Sequence, residues 1–85
     1  MVILRASRFR FTVAKSSKHR RILGENIRAL RRDLGMSQET LAEKAELHPN
    51  YIGDIERGEE NVSVDALMRI AGALKASLTD VVRGL

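Results

Sequence analysis

Apolar and polar residues alternate in two different rhythms along this chain. Near the start, Phe9, Phe11 and Val13 alternate with Arg8, Arg10 and Thr12, the two-residue period of a strand with one apolar face. Lys15, Ser16, Ser17 and Lys18 then read as a short linker, with a serine available to cap a helix beginning just after it. From about His19 the period becomes helical. Leu23, Ile27, Leu30 and Leu34 recur at i, i+4, i+7 and i+11 and form one apolar stripe, with Arg28, Arg31 and Arg32 off it. Gly35 comes next, where a helix C-terminus favours glycine.

The same rhythm predicts four more helices. Ser37 caps the second, which carries Leu41, Ala42 and Ala45 inside. Pro49 suits the first turn of the third, where its missing N–H costs nothing. Ile52 and Ile55 give that helix its apolar side, and Gly58 ends it. Ser63 caps a fourth helix with Leu67, Ile70, Ala71 and Leu74. Ser77, with Asp80 three residues on, resembles a capping box for a short fifth helix bearing Leu78, Val81 and Val82. Helices this short are weak alone and must bury their stripes against one another. The expected fold class is all-α: a five-helix domain over residues 19–85, with a basic N-terminal extension over residues 1–18 that forms a strand or an arm.

Composition narrows this picture. Apolar residues make up 44% of the 85 and aromatics only 4%, so aliphatic side chains do the packing, which favours a helical bundle over a β-sandwich. There is no cysteine, which excludes disulfides and thiolate metal sites. No apolar run approaches the ~20 residues needed to span a bilayer. Arginines interrupt MVILRASRFRFTVA, so it lacks the apolar stretch of a secretory signal, and a cytoplasmic location is expected. The net charge of +4 is unevenly spread. Residues 1–35 hold ten Lys or Arg against Glu25 and Asp33, whereas residues 36–85 hold five against nine acids. A basic segment of that kind points to a polyanion partner or to a solvated charged face.

The stretch SQETLAEKAELHPNYIGDIERG combines these features into a helix-turn-helix. About three residues, from Glu46 to His48, join its two helices, and so tight a joint needs a small contact residue such as Ala42. Ile52 and Ile55 lock the third helix to the bundle, leaving Pro49, Asn50, Tyr51, Gly53, Asp54 and Arg57 toward solvent. A rigidly held, exposed helix of this kind can enter a DNA major groove, about 12 Å wide.

Residues 20–83 resemble the phage-repressor and Cro-like helix-turn-helix family. The resemblance rests on Gln38 opening the second helix, Ala42, Ile52, and the run IERG at 55–58 followed by Asn61, Val62 and Ser63. Within that family the chain is most similar to short regulators such as controllers of restriction–modification operons. The resemblance implies a lambda-repressor-like fold and a regulator that binds double-stranded DNA as a homodimer, without a cofactor. It places Gln38 against a phosphate or an outer base edge, and Pro49, Asn50 and Asp54 toward base edges. Asn50 can pair with adenine, Asp54 can accept from a cytosine amine, and Pro49 can touch a thymine methyl. Tyr51 would reach the sugar–phosphate backbone, while Arg31 and Glu56 match a family pair that forms an internal salt bridge.

Two departures from the family pattern stand out. Glu46 occupies a turn position where the family prefers glycine. The motif is also acidic: residues 37–60 hold Lys44 and Arg57 against seven acids, including Glu59 and Glu60 where basic residues often stand. Against a duplex with one charge per ~1.7 Å, the grip must come largely from elsewhere. Arg20, Arg21, Arg28 and Arg32 on or near the first helix are candidates, with Arg5, Arg8, Arg10, Lys15 and Lys18 in the extension, beside the motif's own Lys44 and Arg57. The extension then serves as a DNA arm, or pairs with its copy in a second subunit or forms a small hairpin, or is merely added by an upstream start codon.

No catalytic constellation is visible, and the chain is not expected to be an enzyme. His19 and His48 lack partners at zinc spacing and read as surface or capping groups. No serine sits in a nucleophile elbow, and the six glycines form no phosphate loop. Met36 and Met68 read as core or interface. Leu78, Val81, Val82 and Leu85 offer an apolar strip that a second subunit covers, or that closes the monomer's own core. The rival to a DNA-binding regulator is a protein-interaction module, such as an antitoxin whose acidic motif binds a basic toxin.

Overall fold

The computed structural model describes residues 17–85, and these form five helices. They are α1 (Lys18–Asp33), α2 (Gln38–Ala45), α3 (Pro49–Glu56), α4 (Val64–Leu74) and α5 (Leu78–Val81). The strand and basic arm expected over the first residues lie outside the described part, except that Lys18, assigned to that arm, is the first residue of α1.

Side chains start every one of these helices. Ser17, Ser37, Ser63 and Ser77 each accept a hydrogen bond from the backbone N–H three residues on, at 3.0–3.1 Å. α3 uses His48 instead, whose Nδ1 accepts from Asn50 N at 3.0 Å, followed by Pro49 in the first turn. α1 begins at Lys18, one residue before the expected His19, because Ser17 is the cap.

The ends of α1 to α4 share one device. After α1, Met36 N donates to Arg31 O and Gly35 N to Arg32 O, with Gly35 left-handed at φ 67°. Gly58, at φ 76°, closes α3 in the same way. α2 and α4 make this turn without glycine: Glu46 sits at φ 59° and Lys75 at φ 54°. A side chain in that conformation costs roughly 1 kcal/mol. Glu46→Gly is therefore expected to raise Tm by about 4–8 °C, as read by thermal unfolding.

The core comprises Leu23, Ile27, Leu41, Ala42, Ala45, Ile52, Ile55, Ile70, Ala71, Leu74 and Val81. α2 packs on both α3 and α4, α1 crosses α3, and α5 bridges α1 and α4. The α1–α3 crossing is set by Gly24. A Cβ there would lie 2.3 Å from the Ile55 carbonyl oxygen and 2.7 Å from that of Glu56. Asn26 on α1 holds α5 in place, donating to Val81 O at 2.9 Å and Arg83 O at 2.8 Å.

Leu34 departs from the expected apolar stripe, whereas Met68 and Val81 each follow one of the two readings given for them. Leu34 is 50% exposed, because it caps α1 at its C-terminus and Met36 takes its place against the core. Met68 is 52% exposed on α4. Val81 is fully buried, so it closes the protomer's own core and offers nothing to a second subunit. Leu78 and Leu85 remain exposed, and Val82 packs partly against the core.

Candidate nucleic-acid interface

Each of the two core isoleucines of α3 turns the opposite side of that helix outward. With Ile52 and Ile55 buried, Asn50 and Arg57 are exposed, and Pro49 and Asp54 are half-buried. Gln38, at the start of α2, faces this surface. Gln38, Pro49, Asn50, Gly53, Asp54 and Arg57 together line a polar concavity of about 360 Å³. Gly53 forms its floor and is buried, contrary to the solvent exposure expected for it. A Cβ there would crowd Arg57 Nη1 at 3.2 Å but only touch Gln38 Oε1, at 3.6 Å, so the glycine makes room chiefly for the guanidinium.

Beneath this surface lies the expected pair of Arg31 and Glu56. Arg31 Nε donates to Glu56 Oε2 at 2.6 Å and Nη2 to Oε1 at 3.0 Å, a two-pronged contact. The remaining nitrogen, Nη1, donates to Met36 O at 2.8 Å. Gln38 Nε2 also donates to Glu56 Oε1, at 3.0 Å. The side chains of Arg31 and Glu56 are only 11% and 3% exposed. Hydrogen bonding to Glu56 raises the pKa of the guanidinium further, against the desolvation of burial. The Arg31–Glu56 pair thus ties α1, the α1–α2 turn, α2 and α3 together. It also removes Glu56 from the acidic charge facing outward.

Arg57 forms a second, exposed cluster. Its Nη2 donates to Asp54 Oδ1, and its Nε donates to Glu59 Oε1 at 3.2 Å. The bond to Glu59 is the main reason that the pKa of Arg57 is raised. The backbone brings this about: Glu59 N donates to Asp54 O at 2.9 Å in the turn closing α3, which folds Glu59 back beside the helix end.

The other candidates are distributed around this surface. Tyr51 lies on another side of α3, lining a separate depression with Leu47, Ser63, Asp65, Ala66 and Arg69. Arg21 packs over Gly58: a Cβ on that glycine would meet Arg21 Cα at 3.1 Å. Arg20 sits in the same first turn of α1, its N–H capped by Ser17. Arg32 is exposed on α1, in a patch with Glu25, Arg28, Ala29 and Asp33, and Lys44 is exposed near the end of α2. Neither of these last two joins the α3 concavity. Gly24, Gly53 and Glu59 were not singled out for these roles by sequence reasoning. Only the acidity at Glu59 was legible there.

Five short helices, with α2 and α3 joined by a tight turn and α3 presenting a polar outer face, define a helix-turn-helix protein. Comparison with known proteins agrees: the helix-turn-helix family model matches residues 27–81, and the chain belongs to that family. It is 47% identical over 57 residues to the control protein C.SmaI of Serratia marcescens, covering 67% of this chain and 68% of that protein. Its identity to the control protein C.BamHI of Bacillus amyloliquefaciens is 43% over 63 residues, covering 73% and 78%. Among solved structures, the restriction-modification controller protein C.AhdI from Aeromonas hydrophila matches with a TM-score of 0.72 and 37% identity. That match covers 73% of this chain and 94% of the other.

Proposed function

We propose that the chain is a sequence-specific transcriptional regulator, not an enzyme, that binds double-stranded DNA as a homodimer in the cytoplasm. The observation that carries this reading is the polar concavity on α3, in which Asn50, Asp54 and Gln38 converge on a rigidly supported helix. Asn50 pairs with adenine, Asp54 accepts from cytosine, Pro49 offers apolar contact, and Gln38 contributes through its Oε1 edge. Glu56 holds the other end of Gln38, so the amide is pre-oriented. Tyr51, Arg20, Arg21, Arg32 and Lys44 meet the sugar–phosphate backbone around this centre, and the basic residues of the 1–18 extension add to the grip.

One such module reads only a half-site, so two copies on half-sites about 34 Å apart bind jointly. Leu78, Val82 and Leu85 supply the apolar contact between them. The control proteins to which the chain is similar support an operon-regulating role for it.

Binding of a selected operator duplex and of single-base variants, followed by fluorescence anisotropy, tests the reading. Asn50→Ala is expected to cost about 1–3 kcal/mol on the operator and to relax discrimination at one base pair. Equal loss on every duplex would show that Asn50 reads no base. Removing residues 1–16, which leaves the Ser17 cap of α1 in place, is expected to weaken binding and flatten the log–log salt dependence, and an unchanged slope would exclude a phosphate-binding arm.

A further inference from the structure

The acidic cluster around Arg57 has a geometry that bears on how DNA is discriminated. A guanidinium has a side edge, formed by Nε and Nη2, and an end edge, formed by Nη1 and Nη2. Glu59 and Asp54 together occupy the side edge. Nη1 lies over Gly53, inside the concavity. Arg57 is one of only two cations in residues 37–60, and both its partners are acidic. The cluster therefore carries a net negative charge where a duplex approaches.

We propose that Asp54 and Glu59 form a clamp that withholds Arg57 from DNA phosphates until a base edge takes over Asp54. The inference rests on the DNA-binding reading given above. On an arbitrary sequence, a phosphate reaching the side edge must expel a carboxylate, and one reaching Nη1 is repelled by both carboxylates, so sequence-independent attraction stays low. On the correct half-site, a cytosine amine donates to Asp54 and replaces one bond of the clamp. Arg57 then turns to the nearest phosphate, adding a contact only where the base matches. Glu59, which is off the base-reading positions, becomes a determinant of the ratio of specific to non-specific binding. Weakening a non-cognate complex in this way is a recognised route to specificity.

The test is a double-substitution cycle on the full chain, using the selected operator duplex and a random-sequence duplex over a range of salt. Glu59 is exposed, so Glu59→Gln should fold normally, as circular dichroism will show. The substitution is expected to tighten random-duplex binding about five- to tenfold at low salt and to steepen its salt slope by about one. Operator binding should change less, so the specificity ratio falls. With Arg57→Ala already present, Glu59→Gln should produce only the small general effect of one lost negative charge, about twofold. Equal effects in the two backgrounds, or no effect in either, would overturn the clamp. Failure of the unsubstituted chain to bind either duplex at low salt would instead overturn the DNA-binding reading on which the clamp rests.

Discussion

Gly24→Ala should destabilise the domain by about 3 kcal/mol or more, although it adds a single methyl group. The Cβ would meet two backbone carbonyl oxygens of α3, at 2.3 and 2.7 Å. Backbone atoms cannot rotate aside as a side chain does, so α1 and α3 must separate. Separation would pull Leu23 and Ile27 away from Ile52 and Ile55 at the centre of the core. For a domain of this size, such a loss is a large part of its total stability. Urea unfolding should show a lower midpoint with an unchanged slope. Gly72, also within a helix, provides the contrast: a Cβ there meets nothing within 4 Å. Gly72→Ala is expected to stabilise by a few tenths to about 1 kcal/mol through helix propensity alone.

Arg31→Ala has the second large effect. It leaves the Glu56 carboxylate, 3% exposed, with only Gln38 as a side-chain donor among the described residues. It also strips Met36 O of the partner that Arg31 supplies. Removing one member of a buried ion pair typically costs about 3–5 kcal/mol, because the other charge stays desolvated. Arg31→Lys should recover little, since a point charge cannot reproduce the two-pronged contact. Replacing both partners together, as Arg31→Met with Glu56→Leu, should be markedly less destabilising than Arg31→Ala. If the paired replacement folds well yet loses operator binding, the pair's main task is to orient α3 and Gln38. Should it bind normally, the pair serves stability alone.

How far the molecule was legible in its sequence depends on which interactions are local. Serine caps act within three residues, and Pro49 acts on its own turn, so the helix starts could be read to within a residue. Ile52 and Ile55 lie one turn apart, and their spacing alone placed α3 against the bundle. Contacts across elements were not visible in this way. Gly24 and Gly53 look like ordinary helix-weakening glycines until a carbonyl or a guanidinium is seen beside them. Asn26 gave no hint that it would hold two carbonyls 55 and 57 residues away. Lys75 adopts the same left-handed turn as Glu46, yet no glycine marks either position. Val81 shares a helical spacing with exposed residues, and only the positions of α1 and α4 decide that it points inward.

The charge pattern was legible in sum but not in arrangement. Counting residues 37–60 shows an acidic motif, and the structure divides that acidity into separate roles. Glu56 is neutralised beneath the surface by Arg31, whereas Asp54 and Glu59 stay outside and bind Arg57. The concavity between Gln38 and Arg57 is thus less repulsive than the count indicates, while the exposed cation on its rim, Arg57, is already engaged.

On the proposed reading, the exposed face of α3 reads a DNA sequence for a two-fold symmetric regulator. Selection of bound fragments from a random duplex library tests it most directly, with the sequence, spacing and symmetry of the winners read together. The expected result is an inverted repeat whose centres lie about 34 Å apart, or a multiple of that distance, with one conserved position in each half-site lost in the Asn50→Ala variant. Enrichment of no sequence above the starting library, at a salt concentration where the protein binds DNA, would contradict it.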